Sequence, residues 1–107
     1  MALISLDEAR TYLRVDSADE DAMIASLILS AGVLVRDVGR ITEESWAAVN
    51  AAQAENDGAE LISLRAIVRV AMLYTLGYLF EHREEADHHE LALTLRSLLF
   101  SVREGAG

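Results

Sequence analysis

Residues 61–80 read LISLRAIVRVAMLYTLGYLF, and the reading of this run decides the fold. It is long enough to cross a bilayer. Arg65 and Arg69 lie inside it, and each costs about 2.5–3.5 kcal/mol near the bilayer centre. No membrane partner is therefore expected. A buried helix of a soluble protein accounts for the run, apolar on nearly all sides past Arg69. With its flanks it predicts a helix over 59–83, about 36 Å long.

Four helix starts surround it. Ser5 with Glu8 has capping-box spacing, with Ile4 just before it. Ser17 with Glu20 repeats the box, and Asp19 adds negative charge where the helix dipole favours it. Thr42 is a third cap, and Ile41 and Trp46 have the spacing of a hydrophobic staple. Asp87 with Glu90 marks a fourth start. Gly39 and Asn56-Asp57-Gly58 mark stops. These signals predict helices near 6–13, 18–37, 43–55, 59–83 and 88–102, and no stretch alternates as a strand does. The expectation is one all-α domain over residues 1–107: a small bundle of four to five helices with one long central apolar helix.

The helix faces differ. The last helix has a stripe of Leu91, Leu95, Leu98, Leu99 and Val102. The second has a wide stripe of Met23, Ile24, Leu27, Ile28, Ala31, Leu34, Val35 and Val38, with Leu29 and Val33 on its opposite face. The third offers only Trp46 and Val49 as large apolar residues. Leu29, Val33, Leu93 and Phe100 fall off the main stripes. They fit either scattered surface apolars or a subunit interface.

Composition removes whole classes of function. The chain has 107 residues, 52% hydrophobic, with no proline and no cysteine. Without cysteine there is no disulfide scaffold, thiol nucleophile, or Cys-based zinc or iron–sulfur site. The net charge of −9 opposes a duplex DNA binder held by phosphate contacts. The start, MALISLDEAR, lacks the basic and long apolar regions of a signal peptide.

Catalytic patterns are missing too. There is no G-x-S-x-G elbow, no G-x-x-x-x-G-K-[ST] loop and no G-x-G-x-x-G. Glu85 and His88 have the Glu-x-x-His spacing of di-metal bundles, but no second copy of the motif exists. Asp87 and Glu90 serve there as a helix cap. The run Asp16-Ser17-Ala18-Asp19-Glu20-Asp21 invites a calcium-loop reading. Ala18 and Met23 fall on ligand positions in its two frames. The run is read as an inter-helix loop. No catalytic, cofactor or metal residue is assigned.

Arg65 and Arg69 are the most unusual charges, one turn apart on the face that continues as Met72, Leu73, Leu76 and Phe80. One reading has their stems covering apolar surface at an exposed helix start. The other has them meeting carboxylates of a neighbouring subunit, at Asp16, Asp19, Glu20 and Asp21. These six residues, with Leu29 and Val33, form the candidate subunit interface.

A family resemblance enters on longer motifs. Ile4-Ser5-Leu6-Asp7-Glu8-Ala9-Arg10 leads to Tyr12-Leu13-Arg14-Val15-Asp16 and the acidic turn Asp19-Glu20-Asp21. Ile24, Leu27-Ile28, Ala31 and Gly39-Arg40 follow. This half resembles the head–tail connector proteins (adaptor or head-completion proteins) of long-tailed bacteriophages and prophages. The later half looks similar: an apolar helix ending Tyr78-Leu79-Phe80-Glu81-His82-Arg83-Glu84, then a Leu-rich helix closing on Arg103. The resemblance covers residues 3–42 and 64–103. It departs at Glu84–Glu90, charged where the family has a longer Gly/Pro loop, and at 43–58, which has no counterpart.

The resemblance implies a non-enzymatic virion protein at the head–tail junction, present in the host cytoplasm before assembly. It implies a homo-oligomeric ring of about twelve or thirteen copies, a closed heterologous assembly. Such a ring joins the portal protein to the tail or stopper protein after DNA packaging. Double-stranded DNA passes through its channel without specific binding, and an acidic wall repels the phosphates. Two other readings stay open from the residues. One is a small acidic interaction or regulatory protein, antitoxin-like or mimicking DNA charge. The other is a metal-dependent helical enzyme using Glu85 and His88.

Overall fold

The protein is described here by a computed structural model over residues 3–51, 58–84 and 87–102. Five α-helices span these residues: α1 (Leu6–Leu13), α2 (Asp21–Val38), α3 (Glu43–Ala51), α4 (Ala59–Glu81) and α5 (His89–Leu99). Single 3₁₀ turns cover Ala18–Glu20 and Phe100–Val102. No strand occurs among the described residues. The expected end of α3 at 55 and the turn at Asn56-Asp57 lie outside them.

The caps explain most of the boundaries. The Ser5 hydroxyl accepts from the Glu8 amide at 3.1 Å, and the Thr42 hydroxyl from the Ser45 amide at 3.1 Å. Each satisfies an amide that the first helical turn leaves open. At Ser17 the structure departs from expectation. Its hydroxyl takes the Asp19 amide at 3.0 Å, closing a 3₁₀ turn, and α2 starts at Asp21 rather than near 18. The last helix likewise begins at His89, where the Asp87 carboxylate accepts the His89 amide at 3.0 Å.

α1 and α2 end in the same way. Arg14 and Arg40 sit in the left-handed region, at φ 60° and 51°. In each case the next amide folds back onto a carbonyl five residues earlier: Val15 to Arg10 at 2.9 Å, Ile41 to Arg36 at 3.0 Å. This is Schellman-type closure, built on arginine where glycine would be less strained. Gly39 stands one residue before that position. A Cβ there would lie 3.0 Å from the Val35 carbonyl oxygen and 3.3 Å from Ile41. The glycine lets the buried Ile41 fold against the helix end.

The core follows from the apolar periodicities. α2 buries Ile24, Ala31 and Val35; α4 buries Val68, Ala71, Met72, Leu76 and Leu79; α5 buries Leu91, Leu95 and Leu99. α1 contributes Ala9 and α3 contributes Val49. α4 packs on α1, α2, α3 and α5, and its most extensive contact is with α2. Fully burying side chains such as Ile24 and Leu95 contributes about 1.5–3 kcal/mol each. Thr75 is the buried polar residue of α4, and its hydroxyl donates to the Ala71 carbonyl at 2.7 Å. Leu98, expected on the inner stripe of the last helix, is exposed. Among the described residues no helix is long and apolar enough to cross a membrane.

Candidate interaction surfaces

The two arginines of the opening run have separate fates. Arg69 lies on the side of α4 that faces α1. Its guanidinium donates to both carboxylate oxygens of Glu8, at 3.2 Å to Oε1, and to the Leu3 carbonyl at 2.6 Å. Arg69 was expected among the subunit-interface residues, and within this chain its fork is filled by Glu8 and the Leu3 carbonyl. A bidentate charge-assisted pair fixes geometry as well as adding energy. Hydrogen bonds from Arg69 hold the Glu8 carboxyl below its ordinary pKa, against the opposing effect of partial burial. The charge of Arg65 and the Ser5 amide add smaller contributions. Arg65 is half-buried, and its Nε has no hydrogen-bond partner among the described residues.

The acidic corner is partly engaged as well. Asp21 lies 3.6 Å from Arg10, and Glu20 lies 3.4 Å from Arg83. Arg83 in turn lies over the Phe80 ring, 4.8 Å from its centroid. Two carboxylates proposed for a neighbour's arginines therefore meet arginines of their own chain. Asp16 and Asp19 are exposed and make no ion pair among the described residues. The Glu20–Arg83 pair is exposed on both sides and contributes at most about 1 kcal/mol, so it orients the turn rather than holds the fold.

The polar segment after α4 is arranged around Tyr78. His82 stacks on it at 4.1 Å between ring centroids, with its Nδ1 2.9 Å from the Tyr78 carbonyl oxygen, and His88 meets its edge at 6.0 Å. Glu85, the other half of the Glu-x-x-His reading, lies outside the described residues. Among those described, no group of three or more His, Cys, Asp or Glu is placed to hold a metal ion.

The apolar residues at the surface form three sets. Leu29 and Val33, 74% and 69% exposed, stand on the outer face of α2. They border a groove floored by Leu3, Ile4, Ile28 and Met72 and walled by Trp46 of α3. On the far side of α5, Leu93 and Phe100 are 53% and 66% exposed around a shallow hollow shared with Arg96 and Ser97. Ile62, Val70 and Tyr74 make the third set, along α4, with Tyr12 of α1 close to Gly77 at its end. Burying such surface releases about 25 cal/mol per Å².

The groove-wall position of the half-buried Trp46 was missed. Its spacing from Ile41 reads as a local staple, and nothing in the sequence places it beside Gly32 of α2, where an added Cβ would meet its ring at 3.5 Å. The Glu8–Arg69 pair was missed because Glu8 already had a role in the capping box. No family model, curated protein or solved structure matches this chain.

Proposed function

We propose that the protein is a structural subunit of a phage or prophage head–tail connector ring, joining portal to tail around the DNA channel. The observation that carries this reading is the pairing of an all-helical fold with apolar surface at Leu29 and Val33 of α2, and at Leu93 of α5 with Phe100 in the 3₁₀ turn that follows it. An isolated small domain gains nothing from such surface, whereas a subunit that meets a copy of itself does. The resemblance of residues 3–42 and 64–103 to connector proteins supports the same reading. The net charge of −9 suits a channel wall past which duplex DNA slides. In this role the chain performs no catalysis, and its partners are its own copies, the portal and the next tail component.

Electron microscopy tests the proposal, with the purified protein alone and mixed with DNA-filled, portal-bearing heads. Rings of about twelve or thirteen copies, or a density collar on the portal vertex, are expected. A protein that forms neither, and instead forms a dimer that captures a basic partner, would replace this reading with the acidic regulator.

A further inference from the structure

α2 lacks the charged outer face that a surface helix normally carries. No charged residue occurs between Asp21 and Arg36. Its exposed side is made of Ala22, Ala25, Ser26, Leu29, Ser30 and Val33. Acidic residues follow or precede the groove residues on the two helices that border it. Asp37 follows Val33 by one turn and is exposed, and Glu43 and Glu44 are exposed in the first turn of the helix that bears Trp46. None of the three makes an ion pair among the described residues. Of the cations at this corner, Arg36 turns its Nε back to the Ile41 carbonyl at 3.5 Å, and Arg40 stands exposed in the turn.

The outer side of α5 has the converse character. His89, Leu93, Arg96 and Phe100 recur at i, i+4, i+7 and i+11, all exposed, so they lie along one stripe. Arg96 makes no ion pair among the described residues. In a chain of net charge −9 this stripe pairs two apolar anchors with an unengaged guanidinium. An amphipathic helix that offers anchors at such spacing is the shape that an apolar groove accepts.

We propose that the α5 stripe of one copy docks into the α2–α3 groove of a second copy. Leu93 and Phe100 lie against Leu29, Val33 and Trp46, and Arg96 faces Asp37, Glu43 and Glu44. The inference rests on the connector reading and deepens it by naming the contact between neighbours. The two surfaces belong to different elements, so the contact is heterologous and each copy offers one of each. Repetition then closes a ring or extends a filament. The assignment replaces Arg69 and the Asp16–Asp21 corner as the ring contact.

The test uses Leu29→Glu and Phe100→Glu. Both positions are exposed, so each variant should fold, as circular dichroism and a melting curve will show; Val33→Glu and Leu93→Glu are the second pair. Wild type should be a closed multimer by light scattering, and each variant a monomer. An equimolar mixture of the two variants should give a species of twice the subunit mass and nothing larger, since one intact groove and one intact stripe remain. Val70→Glu, on the exposed stripe of α4, should keep the wild-type mass. Variants that retain the full ring would overturn the docking assignment and leave the ring reading standing. So would a mixture that stays monomeric, or assembly lost only in Val70→Glu. A wild type that stays monomeric yet forms a collar on portal-bearing heads would also overturn the docking contact without overturning the connector reading.

Discussion

Two regions of this protein invert the usual placement of charge and hydrocarbon. At the α1–α4 corner, Arg69 reaches inward to Glu8 and the Leu3 carbonyl. On the outer face of α2, Leu29 and Val33 point outward with no charge beside them in that helix turn. The corner has a partner in its own chain, so its role is to hold α1 on α4. The α2 face has no such partner among the described residues, and under the docking proposal its role is to meet a second copy.

Substitutions can sharpen that comparison, beginning with the inner face of the same helix. Ile24 is fully buried, and Ile24→Ala should cost about 2–5 kcal/mol, a large share of a domain's total stability. Chemical denaturation should show this as a lower midpoint with unchanged slope. At the corner, Arg69→Ala removes both Glu8 bonds and leaves the carboxylate unpartnered. A loss of about 1–2 kcal/mol is expected, below the upper range for charged hydrogen bonds because both groups are partly exposed to water. A loss under a few tenths would mean that α1 is held by its apolar contacts alone.

The corner should also carry a pH signature. The folded state holds Glu8 below its ordinary pKa, chiefly through Arg69. Its stabilisation is therefore complete above the unfolded value, about 4.3, and is lost as pH falls through the lower folded value. Glu8→Gln should be less stable than wild type at neutral pH, and the two should converge in acid. A gap that stays constant with pH would remove the ionised pair from the account. The smallest effect on folding belongs to the α2 face. Leu29→Ser and Val33→Ser should each change stability by no more than about 0.5 kcal/mol, while self-association weakens. If either costs as much as Arg69→Ala, the face is part of the fold.

Much of the fold was legible from local signals. Capping at Ser5 and Thr42, the inner stripe of α2, the buried Leu91, Leu95 and Leu99 of α5, and the off-stripe positions Leu29, Val33, Leu93 and Phe100 stand in the structure as local spacing predicts. Local spacing failed where a side chain had two choices. Ser17 could cap a 3₁₀ turn or an α-helix, and the Asp19 amide decided it. Leu98 sits at the margin of its stripe and is 38% exposed, while Leu91, Leu95 and Leu99 are buried. The partner of Arg69 lies 61 residues away, and such a pairing is set by how α1 crosses α4, which no short-range pattern encodes. Trp46 fits a staple and a groove wall equally well until α3 is placed beside α2.

Absolute mass in solution, measured by light scattering across protein concentration and from low to high salt, tests the central claim most directly. Salt screens the proposed attraction of Arg96 for Asp37, Glu43 and Glu44, and the repulsion between copies of net charge −9, alike. The apolar centre of the contact then decides the outcome. The account predicts a closed multimer whose mass persists in high salt. A monomer at every concentration, or a multimer that dissolves as salt rises, would contradict the docking contact on which it rests.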